Sequence, residues 1–186
     1  DKIYEDGEYR VSSSKENHST TNDPMVEIDA LRRFKDFKDI CIEKSILDFG
    51  CGHGSFLLKI KDYAADVTGI ELQESFIKKL SENGISAYNS LDSVEDESID
   101  VIFLFHVFEH LPDPLTTLAE IKKKLKKGGV LILEVPHAND FLLSFIKSEA
   151  FRKFTLWSQH LILHTKESIA IMLEHTQFNG ISVKGV

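Results

Sequence analysis

The chain has 186 residues, 42% of them hydrophobic and 28% charged, with 30 acidic against 22 basic side chains. That is enough for one domain with a sizeable core, or one domain with a short appendage. The formal net charge of −8 argues against tight binding to nucleic-acid phosphates, and no apolar run is long enough to span a bilayer. Two cysteines, Cys41 and Cys51, cannot form a zinc site by themselves. Their scarcity and the lack of a signal sequence point to a reducing, cytoplasmic setting. The chain opens on Asp and stops at Val186 inside a strand-like run, so it reads as a piece of a longer protein.

Residues 1–24 are polar and turn-rich and read as a flexible arm or lid carrying Tyr4 and Tyr9. A second segment, 25–186, reads as the domain proper. Met25, Ile28, Leu31, Phe34 and Phe37 recur at helical spacing and predict a helix over 25–40. Strands are predicted at 45–49, 66–71, 85–88, 99–105 and 129–135, and another from 180. Helices are predicted at 54–63, 73–82, 114–126 and 166–177, with a helical stretch near 138–153. Strand and helix alternate, which implies a doubly wound, mostly parallel α/β sheet with helices on both faces and ligands at the carboxyl ends of the strands. The lysine cluster Lys122–Lys127 is the one basic patch, and reads as the solvated last turn of a helix.

The chemistry concentrates in Ser45-Ile-Leu-Asp-Phe-Gly-Cys-Gly-His-Gly-Ser-Phe56, an apolar strand, a turn with glycine at 50, 52 and 54, and a helix start. Glycine tolerates positive φ and lets a ligand approach the backbone, and the amides at the helix start are expected to face it. About 20 residues on, the second strand ends in Glu71, whose carboxylate suits the paired hydroxyls of a ribose. The third glycine of a dinucleotide fingerprint would fall at 55, which is Ser, and no Gly-Lys-Ser/Thr follows, so a dinucleotide site and a P-loop both fit poorly. A nucleoside-type ligand remains.

Leu47-Asp-Phe-Gly-Cys-Gly-His-Gly54 resembles motif I of the class I S-adenosylmethionine-dependent methyltransferases. Glu97–Pro114 resembles that family's fourth-strand block, and Leu125-Lys-Lys-Gly-Gly-Val-Leu-Ile-Leu-Glu-Val-Pro136 its fifth, with Lys127 for the usual proline and Ile99 for the usual aromatic. The similarity covers roughly residues 40–180. It implies a Rossmann-like methyltransferase fold whose final antiparallel strand pair is incomplete here, and S-adenosylmethionine as cofactor with S-adenosylhomocysteine as product. It places Asp48, Gly50, Cys51, Gly52, Gly54, Glu71 and Leu72 at the donor, Ser90 and Leu91 near the adenine, and Phe105 and His106 beside the methionine part.

A methyl sulfonium is already activated, so the protein must hold it, align the acceptor and remove a proton where the acceptor is a hydroxyl or amine. His110, in the loop beyond the fourth strand, is the first candidate base, and His160 the second; packing roles for both stay open. His106-Val-Phe-Glu109-His110 also resembles the E-x-x-E-H pattern with which relatives that methylate RNA 3′ ends or quinone precursors hold a divalent ion, His106 replacing the first Glu. No metal is assigned on this ground. Phe151–Lys166, with Phe154 and Trp157, resembles the acceptor-side insertion of methyltransferases from glycan and natural-product pathways, and suits core packing equally.

The leading reading is methyl transfer to a small-molecule acceptor such as a sugar or saccharide intermediate. The alternatives are metal-assisted methylation of RNA or a quinone precursor, and a non-catalytic nucleoside-binding module. Oligomeric state is not legible.

Overall fold

The computed structural model describes residues 24–149 and 160–184. The arm expected over 1–24 lies outside these residues except for Pro24, as do Tyr4, Tyr9, Phe151, Phe154 and Trp157. In chain order the elements are α1 (Pro24–Cys41), β1 (Ser45–Phe49), α2 (Ser55–Ile60), β2 (Asp66–Ile70), α3 (Glu74–Glu82), β3 (Ser86–Tyr88), β4 (Ile99–Phe105), α4 (Pro114–Lys124), β5 (Leu125–Glu134), α5 (Phe141–Ser144) and α6 (Lys166–His175). The strands form one sheet in the order β3-β2-β1-β4-β5. The β3–β2, β2–β1 and β1–β4 pairs are parallel, with Asp48 opposite Gly69 on one side and Phe103 on the other. The chain returns to the middle after β3, so β1 and β4 flank the switch point at which ligands bind in doubly wound sheets.

The chain falls into two compact units, one running up to Leu104 and adding Lys124–Ile132, the other formed by Phe105–Lys123 and Leu133–Val186. In the first, β4 is apolar because it is covered on both faces: Val101, Ile102, Phe103 and Leu104 are all buried. Phe37 of α1 and Phe56 of α2 pack on Phe103 with ring centroids 5.4 and 5.0 Å away.

The helix α1 stands as expected, whereas β5, the run from 180 and the stretch near 138–153 differ from expectation. The buried stripe of α1 runs through Ala30 and Cys41 with Phe34 and Phe37 half-buried, whereas Met25, Ile28 and Leu31 are exposed. Periodicity located the helix, but apolar positions at helical spacing do not reveal which side the sheet occupies. β5 begins at Leu125 rather than 129. Lys-Lys-Gly-Gly looks like a turn, but Ser98 N donates to Lys124 O and Lys126 Nζ bonds Asp100 Oδ2 at 2.7 Å, holding the segment beside the start of β4. A Cβ on Gly129 would sit 3.1 Å from the Asp100 carbonyl, which explains the glycine there. Finally, residues 181–184 are not a strand, since no ladder partner is present among the described residues. The helical stretch near 138–153 is short, and among the described residues it is helical over Phe141–Ser144, with Lys147 in the left-handed region soon after.

The second unit is tied by polar contacts. Thr165 and Ser168 form a reciprocal capping box at the start of α6. Lys122 Nζ donates to the carbonyls of Thr176 and Gln177 just past its end. In the first unit Lys124 pairs with Asp96 and Lys126 with Asp100. Three lysines of the Lys122–Lys127 cluster are thus engaged in local contacts.

Candidate functional site

The glycine turn sits at the carboxyl end of β1. Gly50, Gly52 and Gly54 have φ of 76°, 55° and 70°, a conformation that side chains with a Cβ resist. Gly50 is exposed, while Gly52 and Gly54 are buried. The glycine at 54 has a packing reason of its own, because a Cβ there would lie 2.2 Å from Leu80 Cδ2 on α3. Four amides of the turn itself are committed within the protein. Gly50 N and Cys51 N donate to the Ile70 carbonyl, Gly52 N to Glu71, and Gly54 N to the Cys51 carbonyl. α2 is six residues long, too short to act as a strong dipole. The turn therefore offers side-chain-free backbone, exposed at Gly50, more than a cradle of donors.

Glu71 is the acid that braces this turn. Its Oε2 accepts from Gly52 N at 2.8 Å and its Oε1 from Gln73 N at 3.0 Å. Each carboxylate oxygen has a second lone pair, so both can still accept a hydroxyl. Leu72, the next residue, is exposed, as a side chain lying over a flat ligand would be. Ser90 closes a short turn by accepting from Asp92 N, and Leu91 is buried behind it. Cys51 points inward: its Sγ would be 2.7 Å from a Cβ on Gly69. Burial, then the carboxylates of Asp48 and Glu71, push its thiol pKa up, so it is no nucleophile. Asp48 is buried with Oδ1 unbonded, and burial raises its carboxyl to about 7 against the pull of Arg33.

The second unit carries a different constellation. Glu109 is 1% exposed and neither carboxylate oxygen has a hydrogen bond. Around it stand three imidazoles: His106 Nδ1 at 3.5 Å and His110 Nε2 at 4.0 Å from Oε1, and His160, whose ring is 4.8 Å from that of His110. One ligand atom from each of Glu109, His110 and His160 lies within 4.8 Å of the others, close enough to converge on one ion. His160, which sequence distance left separate, joins because Leu161 N and Ile162 N donate to the Glu109 carbonyl. His106 stands between two carboxylates, Glu109 and Glu134. It follows buried Phe105 at the end of β4 in the left-handed region, and its Nε2 lies 3.2 Å from Glu134 Oε1. Burial lowers the His106 pKa, but Glu109 and Glu134 more than reverse this and bring it to about 9. At neutral pH it is a cation, so it is no general base.

Sequence reasoning missed Glu134. His164 is 2% exposed, its ring is tilted against Phe108 at 4.9 Å, and both its ring nitrogens are unbonded. Burial lowers its pKa and keeps it neutral. The only sequence signal for Glu109 as the centre was the Glu-His pair in the fourth-strand block.

A family profile described as a methyltransferase domain matches residues 26–183. The chain belongs to the methyltransferase-domain family. The class I resemblance and its Rossmann-like fold therefore hold. The chain is 32% identical over 143 residues to a ubiquinone biosynthesis O-methyltransferase of Thiobacillus denitrificans, a match covering 70% of this chain and 62% of that protein. It is 34% identical over 104 residues to the protein of that name from Haemophilus ducreyi, covering 48% and 44%. The chain thus spans about three-fifths or less of the length of these curated relatives. A crystal structure described as a SAM-dependent methyltransferase from Archaeoglobus fulgidus superposes with a TM-score of 0.65 at 25% identity, covering 84% of this chain and 69% of that one. A Haemonchus contortus phosphoethanolamine N-methyltransferase 2 in complex with S-adenosyl-L-methionine gives 0.65 at 21% identity, covering 84% and 38%, which speaks to the fold alone. Among the described residues no helix is long and apolar enough to cross a membrane.

Proposed function

We propose that this chain transfers a methyl group from S-adenosylmethionine to a hydroxyl of a small aromatic acceptor of the quinone-precursor class. The observation that carries the acceptor class is the likeness to curated ubiquinone O-methyltransferases. It moves the reading away from the sugar acceptor expected first.

Donor binding is assigned to the turn Gly50–Gly54, with Glu71 on the ribose hydroxyls, Asp48 on positive charge, and Leu72, Ser90 and Leu91 toward the adenine. Methyl passes in line from sulfur to the acceptor oxygen, and alignment supplies much of the rate. The acceptor's proton goes to His110, which is half-buried with its ring 4.8 Å from that of His160. His106 is excluded from that duty by its two carboxylate partners. A turnover assay offering dihydroxylated aromatic acids and free sugars separates the acceptor classes. His110→Ala should lower turnover at least tenfold with donor affinity within about twofold. Turnover close to the parent makes His110 structural.

A second reading is favoured by the convergence of Glu109, His110 and His160. A hard carboxylate and two imidazoles fit a divalent ion such as zinc or manganese, and a buried carboxylate without hydrogen bonds is the group such an ion would satisfy. When bound, the ion would lower the pKa of an acceptor hydroxyl. In that case His110 is a ligand, and proton removal falls to another group. Elemental analysis before and after chelation, with activity followed alongside, decides between the two.

A further inference from the structure

Asp48 closes β1 immediately before the glycine turn and is 4% exposed. Its ladder neighbours are Gly69 and Phe103, neither of which can donate a side-chain hydrogen bond. The amides of Gly50, Cys51, Gly52 and Gly54 are all committed to other acceptors, and Asp48 Oδ1 is left buried and unbonded. The charged groups acting on it are Arg33 of α1, which favours its ionised form, and Glu71 beyond β2, which opposes it; the Cys51 thiol of the turn also senses it. Burial outweighs the guanidinium, so the carboxyl holds its proton to about pH 7 in the empty fold. A cation arriving beside Oδ1 would supply the partner that the turn's amides do not.

We infer that Asp48 gives up its proton when the methyl donor places a cationic group beside the glycine turn, so that donor binding and proton release are one coupled step. The inference rests on the donor site proposed above. The empty site holds a carboxylic acid, the filled site a carboxylate paired with the ligand's cation, and one proton leaves to solvent. No covalent bond to carbon changes. S-adenosylmethionine carries two cations, the α-ammonium and the sulfonium, whereas S-adenosylhomocysteine keeps only the ammonium. Because the bound form requires the ionised carboxylate, affinity climbs as pH rises toward 7 and levels off above it.

The test is calorimetric titration of the wild-type chain with each ligand at pH 6.5, in phosphate and in a buffer of high ionisation enthalpy. The expected difference in heat corresponds to about three-quarters of a proton released, with affinity rising about tenfold from pH 6 to pH 8. Release with both ligands assigns the cation as the ammonium. Release with S-adenosylmethionine alone assigns it as the sulfonium. Asp48→Asn should remove the buffer dependence. Measurable binding with equal heats in both buffers and a flat pH profile overturns this inference and leaves the donor site standing. Absence of binding by either ligand overturns the donor-site proposal and this inference together.

Discussion

Removing Glu71 tests the proposed donor site most directly, because that carboxylate braces the glycine turn and is also the group proposed to bind the ribose. Its two oxygens hold Gly52 N and Gln73 N at 2.8 and 3.0 Å. A hydrogen bond to a charged group is worth about 1.5–3 kcal/mol net, and partial exposure of Glu71 places each at or below the low end of that range. Glu71→Ala should therefore cost about 2–3 kcal/mol of stability, or roughly 5–10 °C in Tm for a domain this size. Glu71→Gln keeps one oxygen acceptor but points its NH2 at an N–H, and should cost about half as much. If the same carboxylate also accepts the ribose hydroxyls, alanine should lose a further 1–3 kcal/mol in ligand binding, a rise in Kd of roughly 5- to 150-fold. Thermal unfolding without ligand measures the first effect, and calorimetry with S-adenosylhomocysteine well below the lowered Tm measures the second. A fall in Tm with an unchanged Kd would make Glu71 a brace for the glycine turn and nothing more. No change in either would mean that both hydrogen bonds are energetically idle, and the account of this turn would fail.

Gly54→Ala should destabilise by about 2–4 kcal/mol, combining roughly 1 kcal/mol for a Cβ at positive φ with overpacking against Leu80, and denaturant unfolding will read it. Asp48 gives a pH signature in the ligand-free protein. Its folded pKa of about 7 lies above its ordinary 3.8, so its contribution is fully present below about pH 4, declines as pH rises, and is lost above about 7. The full span is at most about 4 kcal/mol, and Asp48→Asn should flatten the stability profile between pH 5 and 8; a variant that tracks the parent across that range refutes the burial argument. Glu109→Gln removes the charge at the centre of the imidazole cluster and should abolish any chelatable metal while leaving S-adenosylhomocysteine affinity within about twofold, measured by elemental analysis and calorimetry.

Most of the fold could be read from local pattern. β1, β2, β3 and β4 fall within a residue of their expected spans, because short apolar runs bounded by turn residues leave few other conformations open. The glycine turn was legible for a related reason: three glycines at alternate positions and an acid just past the next strand are a local demand on φ and on charge, written within a short stretch of chain. The buried face of α1 was not legible, since Met25, Ile28 and Leu31 match a helical period as well as Ala30, Phe34, Phe37 and Cys41 do, and only the position of Phe103 chooses between them.

The sequence by itself thus determined the alternating α/β order, the glycine turn and the acid that serves it, because each depends on neighbours close along the chain. Tertiary structure decided which groups meet. It tied the turn's amides to Ile70 and Glu71, left Asp48 buried beside them, and brought His160 to Glu109 and His110 across some fifty residues. Such meetings are fixed by strand order and by long-range hydrogen bonds, which no window of sequence contains.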